Sequence, residues 1–190
     1  MRRQIRVLVT GISGSGKSTV AQAVAERLST ECHEFGILMT QTAMSSGLLQ
    51  PHEVLKSVKL ARRSQLQGEV ATQVAACSAE VCLIVAHLIV EGPEGYVPGF
   101  QPTVLDRLDI SAIALMTAPI IDLTARKDRI VEDGPVQLIE SLRRLRWMVE
   151  VAAIHQSLRL GVPLRIIANP NGQLPGSVDE LLDFLDSLSP

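Results

Sequence analysis

The chain has 190 residues, 46% of them hydrophobic and only 3% aromatic, with a net charge of −2. That length suits one domain with a core of Leu, Ile, Val and Ala, and the near-neutral balance leaves no global electrostatic footprint for DNA or RNA. The three cysteines, Cys32, Cys77 and Cys82, form no C-x-x-C pair. Few and odd in number, they point to buried thiols in a reducing compartment more than to a disulfide framework or a zinc site.

Met1-Arg2-Arg3 is basic, but the apolar stretch after it is short and interrupted by Gln4 and Arg6, unlike a targeting segment. Ile5, Val7, Leu8 and Val9 read as a buried strand. Gly11-Ile12-Ser13-Gly14-Ser15-Gly16-Lys17-Ser18 then fits G-x-x-x-x-G-K-[ST], the phosphate-binding loop. Its glycines permit φ > 0 and a close backbone approach to an anion. Successive N–H groups form a nest for phosphate oxygens, reinforced by the positive end of the following helix. Val20, Val24, Ala25 and Leu28 recur at helical spacing, so a helix is expected over Thr19 to Thr30. Strand, loop and helix together imply a bound nucleoside triphosphate, with Lys17 reaching the β- and γ-phosphates and the Ser18 hydroxyl on Mg²⁺.

A short second strand is expected around Cys32 to Met39, followed by a short helix over Thr40 to Leu49. From Pro51 to Glu80 the pattern is helical and polar on one side. Its cluster of Lys56, Lys59, Arg62 and Arg63 reads as a solvated helix face or as a site for a second anionic ligand. Val81 to Ala86 is apolar on both faces, as a central parallel strand should be. The run Val81 to Val90 contains His87 and falls far short of the ~18 apolar residues of a membrane span. No membrane contact and a soluble, cytoplasmic protein are therefore expected.

Glu91 to Phe100 is rich in Gly and Pro but too apolar for a solvated linker. It follows the carboxyl end of a central strand, where ligands bind in doubly wound sheets, and reads as a structured loop facing the ligand. Further elements are expected over Val104 to Leu108 (helix), Ile110 to Met116 (strand) and Pro119 to about Arg129 (a helix entry followed by the charged stretch Arg126 to Arg129). A long amphipathic helix, Val136 to Leu160, stops at Gly161. Leu164 to Ala168 is the last strand, Asn169-Pro170-Asn171-Gly172 a turn, and a closing helix opens at Gly176 or Ser177. This alternation implies an α/β fold: a three-layer P-loop NTPase fold with a mainly parallel five-stranded sheet flanked by helices, as one domain over 1–190.

With these residues in view, the chain resembles the archaeal-type adenylate kinases over nearly its whole length. Gly95-Tyr96-Val97-Pro98-Gly99-Phe100 is similar to the family's G-Y-L-P-G-L segment, and His87 stands where the family has Asp-Thr-His at a strand end. The resemblance implies phosphoryl transfer from ATP to AMP with Mg²⁺, often in a trimer. It implies ATP binding by Gly11, Ser13, Gly14, Ser15, Gly16, Lys17, Ser18 and Thr19, with Ser18 as the metal ligand. Lys17, Arg126 and Arg129 would be catalytic, the arginines closing from a lid over 125–134. Lys56, His87, Tyr96 and Gln101 would bind the acceptor, beside helices in 40–80. Against the family pattern, Val85 replaces the Asp, Ile37 a Thr, Lys56 an Arg, and Val149-Glu150 an Asn-Arg. Without a gap, Glu132 and Gly134 fall where the lid arginines belong. Three functions remain open: an adenylate kinase, a P-loop kinase with another small acceptor, or a nucleotide-binding protein that has lost transfer and acts through partners. Glu91 is the nearest carboxylate after the strand that could replace the missing acid.

Overall fold

A computed structural model describes residues 4–50, 58, 60–92, 95–126 and 135–189. Lys56, Lys59, Arg129, Glu132, Gly134 and most of the expected lid lie outside the described residues.

The apolar runs become the strands β1 (Ile5–Thr10), β2 (Glu31–Glu34), β3 (Val81–Val85), β6 (Ala112–Thr117) and β7 (Leu164–Ala168), joined in the parallel order β2-β3-β1-β6-β7. A separate antiparallel hairpin pairs β4 (Ile89–Gly92) with β5 (Gly95–Pro98). Side chains alternate across the sheet, so each strand feeds two cores. On one face Val7, Val9, Leu83, Val85, Ala114 and Met116 meet Val20, Ala21 and Val24 of α1 (Lys17–Leu28) and Val178, Leu181 and Phe184 of α7 (Leu174–Leu188). On the other, Leu8, Ile84, Ile113 and Leu115 meet the helices α2 (Phe35–Ser45), α3 (Leu60–Ala75), α4 (Pro102–Leu108) and α6 (Pro135–Leu160). The short α5 (Ile120–Ala125) follows β6. The result is the expected three-layer sandwich on a five-stranded parallel sheet.

Three expected elements come out differently. The strand expected over Cys32 to Met39 ends at Glu34, and Phe35 opens a helix. Phe35, Met39 and Ala43 are buried at helical spacing, so tertiary packing decides between two readings of a short apolar run. The segment Glu91 to Phe100 is largely a hairpin strand pair, with Glu91 opposite Tyr96. The closing helix starts at Leu174, with a proline in its first turn, where a missing N–H is harmless. The helix entered at Pro119 ends at Ala125, just before the charged stretch that begins at Arg126, as expected. Two polar residues at the start of β1, Gln4 just before it and Arg6 within it, also find uses. Arg6 donates to the carbonyls of Ala75 and Leu108, closing the ends of α3 and α4, and Gln4 donates to those of Cys77 and Ala79.

Burial pushes the Cys82 thiol up, out of the thiolate range, and holds Cys32 at about 11, so these are packing thiols. All three cysteines are free. Cys77 and Cys82 do lie with His33 in one cluster whose ligand atoms are within 4.8 Å of one another. No described helix is long and apolar enough to cross a membrane. Trp147, Val151, Ile154 and Leu158 leave an apolar strip exposed along α6.

Candidate nucleotide site

The last residues of β1, β3, β2, β6 and β7 share one edge of the sheet, and the loop from Gly11 to Gly16 crosses it between β1 and α1. A cleft of about 460 Å³ opens there, walled by Ser13, Gly14, Gly16, Lys17, Ser18 and Thr19 on one side and by Arg126 and residues 169–172 on the other. A larger hollow of about 620 Å³ lies at the opposite edge, beside Gln4, Ile5 and Ser111. That is the amino end of the strands, where a parallel sheet does not assemble ligand sites.

The loop keeps its shape through left-handed residues and a buried buckle. Gly14 and Gly16 have φ of 87° and 86°. A Cβ on Gly16 would collide with Nδ2 of Asn169, so glycine is required there by contact as well as by conformation. Asn169, at 6% exposure, donates from Nδ2 to the Ser15 carbonyl at 2.9 Å and accepts from Ser177 Oγ at 3.1 Å. Arg126, at the end of α5, donates to the Gly14 carbonyl, the Asn169 carbonyl and Asn171 Oδ1 at 2.8–2.9 Å. It is therefore clasped against the loop, bridging it to the turn after β7. Composition alone had marked Asn169 and Asn171 only as turn residues. What the sequence offered was their place directly after a strand, at the ligand edge of the sheet.

Lys17 is 8% exposed. Burial pulls its ammonium down to about 8, against the partly opposing pull of the Glu34 carboxylate. Ser18 Oγ donates to Glu34 Oε2 at 2.9 Å, and Gln22 Nε2 donates to Oε1 at 3.0 Å. Glu34 is the last residue of β2. No local signal in the sequence marks it, because it lies at a strand end sixteen residues beyond Ser18. Val85 packs in the core at 3% exposure, and Glu91 is exposed on β4. As a donor set, the hard oxygens of the Ser18 hydroxyl and the Glu34 carboxylate at the mouth of the loop fit Mg²⁺. The buried Ser15 Oγ and Thr10 Oγ1 have no hydrogen-bond partner among the described residues, leaving donors free beside the loop.

The expected acceptor side is built on α3 and the segment after β5. Gln67, 6% exposed, donates to the Gly99 carbonyl at 2.8 Å and accepts the Gln101 N–H at 2.9 Å. A Cβ on Gly99 would strike the His87 carbonyl, which fixes the last glycine of the Gly95 to Gly99 run. Phe100 packs edge-on against Phe35 at 4.7 Å, joining this segment to the residue after Glu34. Tyr96, His87 and Gln101 are half-buried there. Of the basic cluster, Arg62 is exposed and bonds Gln65, whereas Arg63 is buried one turn before Gln67 on the same helix. Arg146 pairs with Glu150, and Val149 lies in the core.

A phosphate nest at the carboxyl edge of a parallel sheet, with a buried lysine and a metal-competent oxygen pair, defines a P-loop nucleotide-binding protein. The AAA domain family matches residues 10–143. Adenylate kinase of Pyrococcus furiosus is 27% identical across 95% of this chain and 94% of its own length. That of Methanothermobacter thermautotrophicus is 26% identical across 95% and 98%. Among solved structures, shikimate kinase from Acinetobacter baumannii in complex with shikimate matches with a TM-score of 0.65 at 15% identity, covering 98% of this chain and 95% of that one. A gluconokinase from Sinorhizobium meliloti matches at 0.53 and 20% identity, covering 100% and 95%. Likenesses this distant carry the fold. The chain belongs to the AAA domain family, as a divergent member of adenylate kinase type.

Proposed function

We propose that the chain transfers the γ-phosphoryl group of ATP to AMP with Mg²⁺, as a cytoplasmic enzyme. The observation that carries this reading is the buried Lys17 set in an intact loop beside Ser18 and Glu34, on the same edge as the segment Gln67 holds. The loop amides and Lys17 cradle the triphosphate, and Lys17 gains its full charge as the phosphates arrive. Arg126 holds the loop in register with the turn after β7. On the acceptor side, Gln67 fixes the segment that presents Tyr96 and Gln101, and Arg63 is the buried cation nearest that clamp along α3. Ser18 and Glu34 would hold Mg²⁺, which when bound neutralises phosphate charge. The adenylate kinase relatives support AMP as acceptor. Lys56 and Arg129 belong to the same reading through the resemblance.

The test is ADP formation from Mg-ATP with and without AMP. AMP-stimulated turnover that Lys17→Ala lowers by ~10²–10³ or more supports the reading, on the scale of losing a transition-state donor. ATP binding with no stimulation by AMP sinks it and moves the search to other monophosphates and small hydroxy compounds. A second reading, nucleotide binding without transfer, draws on the buried valine that ends β3, and inertness toward every acceptor would favour it.

A further inference from the structure

We propose that Glu34 is the carboxylate of this chain's metal site, working from the end of β2 in place of an acid at the end of β3. The inference rests on triphosphate binding by the loop and is independent of the acceptor's identity.

In P-loop proteins the ion on the triphosphate is held by the loop hydroxyl together with a strand-end carboxylate. Here β3, the neighbour of the loop strand, ends in Val85, which is sealed in the core and has no lone pair to offer. The parallel register pairs Val85 with Glu34. A carboxylate therefore stands at the same height, displaced sideways by one strand spacing of ~4.8 Å. The displacement does not take it out of reach of the loop, because Oε2 accepts the Ser18 hydroxyl at 2.9 Å.

Both carboxylate oxygens are fixed from α1. Ser18 holds one and Gln22, one turn further along, holds the other at 3.0 Å. With its proton directed to Glu34, Ser18 keeps its oxygen lone pairs for a cation in the cleft. The backbone beneath is anchored by Phe35, 2% exposed and packed on Phe100. Glu91, the next described carboxylate after β3 along the chain, is exposed in the hairpin opposite Tyr96.

The charge pattern gives the proposal its signature. A carboxylate beside the loop hydroxyl repels a bare triphosphate, and a divalent cation between them turns that repulsion into attraction. Glu34 should weaken ATP binding without metal and strengthen it with metal. Glu34→Gln keeps the shape and an oxygen that accepts from Ser18 but removes the charge.

The experiment titrates ATP, without acceptor, into wild type, Glu34→Gln and Glu91→Gln, each in excess chelator and in excess Mg²⁺. Circular dichroism and melting confirm that the variants fold. The ratio of the two dissociation constants is the readout. In Glu34→Gln the ratio should fall ~10- to 100-fold, the range for losing a supporting group of a metal site, while chelated ATP binds as well as or better than to wild type. Glu91→Gln should keep the wild-type ratio. Electron paramagnetic resonance of Mn²⁺ with ADP should show the same loss of bound metal in Glu34→Gln alone. A Glu34→Gln ratio equal to wild type, or a collapse in Glu91→Gln instead, overturns the proposal. Wild type that binds no ATP would overturn the loop reading as well. Normal metal coupling with no AMP turnover would remove only the acceptor.

Discussion

Lys17 should change its protonation when the triphosphate binds. Burial lowers the ammonium from 10.5 to about 8 in the free protein. At pH 7.5 such a group is ~75% protonated, and at pH 8.5 only ~25%. Triphosphate oxygens in the loop restore the charged form by direct attraction. Binding must therefore take up ~0.25 proton at pH 7.5 and ~0.75 at pH 8.5. Calorimetric titration of ATP without acceptor, in two buffers of different ionisation enthalpy at each pH, measures this uptake directly. Lys17→Met should remove its pH dependence at whatever affinity remains. The same shift has a sign for stability. Because the folded pKa lies below the unfolded one, the unfolded chain holds more protons between about 8 and 10.5, and this group's contribution to stability rises with pH across that window. Uptake that is equal at the two pH values, or that persists in Lys17→Met, would refute a buried, depressed lysine at the phosphates.

Two further substitutions separate the halves of the site. Asn169→Ala removes the bonds to Ser15 and Ser177 and leaves a buried carbonyl unpaired; it should cost ~1–3 kcal/mol and lower Tm by several degrees, read by calorimetric melting, with weaker ATP binding in titration. Gln67→Leu breaks both bonds to the segment around Phe100; steady-state kinetics should show KM for the acceptor rising ~10-fold or more while the dissociation constant of ATP stays unchanged.

The phosphate loop and the sheet were legible because their signals are local. Val7, Leu8 and Val9 followed by Gly11 to Ser18 define strand, nest and helix within one short window, and the later apolar runs mark the remaining strands in order. The stretch Phe35 to Met39 was not legible, since four apolar residues around Gly36 fit a strand or one helical turn equally well. Packing of Phe35, Met39 and Ala43 on the sheet decides between them. Arg126 shows a different limit. Its place near the nucleotide could be inferred from resemblance, but its three bonds to Gly14, Asn169 and Asn171 join segments more than forty residues apart.

Glu34 is the sharpest case of that limit. Along the chain, Val85 reads as a lost acid, and the search for a substitute runs forward to Glu91. Across the sheet, the relevant neighbour is fifty-one residues earlier, because parallel strands place residues of equal height side by side whatever their order. A charge can thus move between strands without altering the edge that the ligand meets. What chemistry requires is an oxygen of the right charge beside Ser18, and the fold supplies several strand ends from which one can be offered. The apolar Val85 is therefore no measure of lost activity by itself; the charge within reach of the loop hydroxyl is, and in this chain that charge sits on β2.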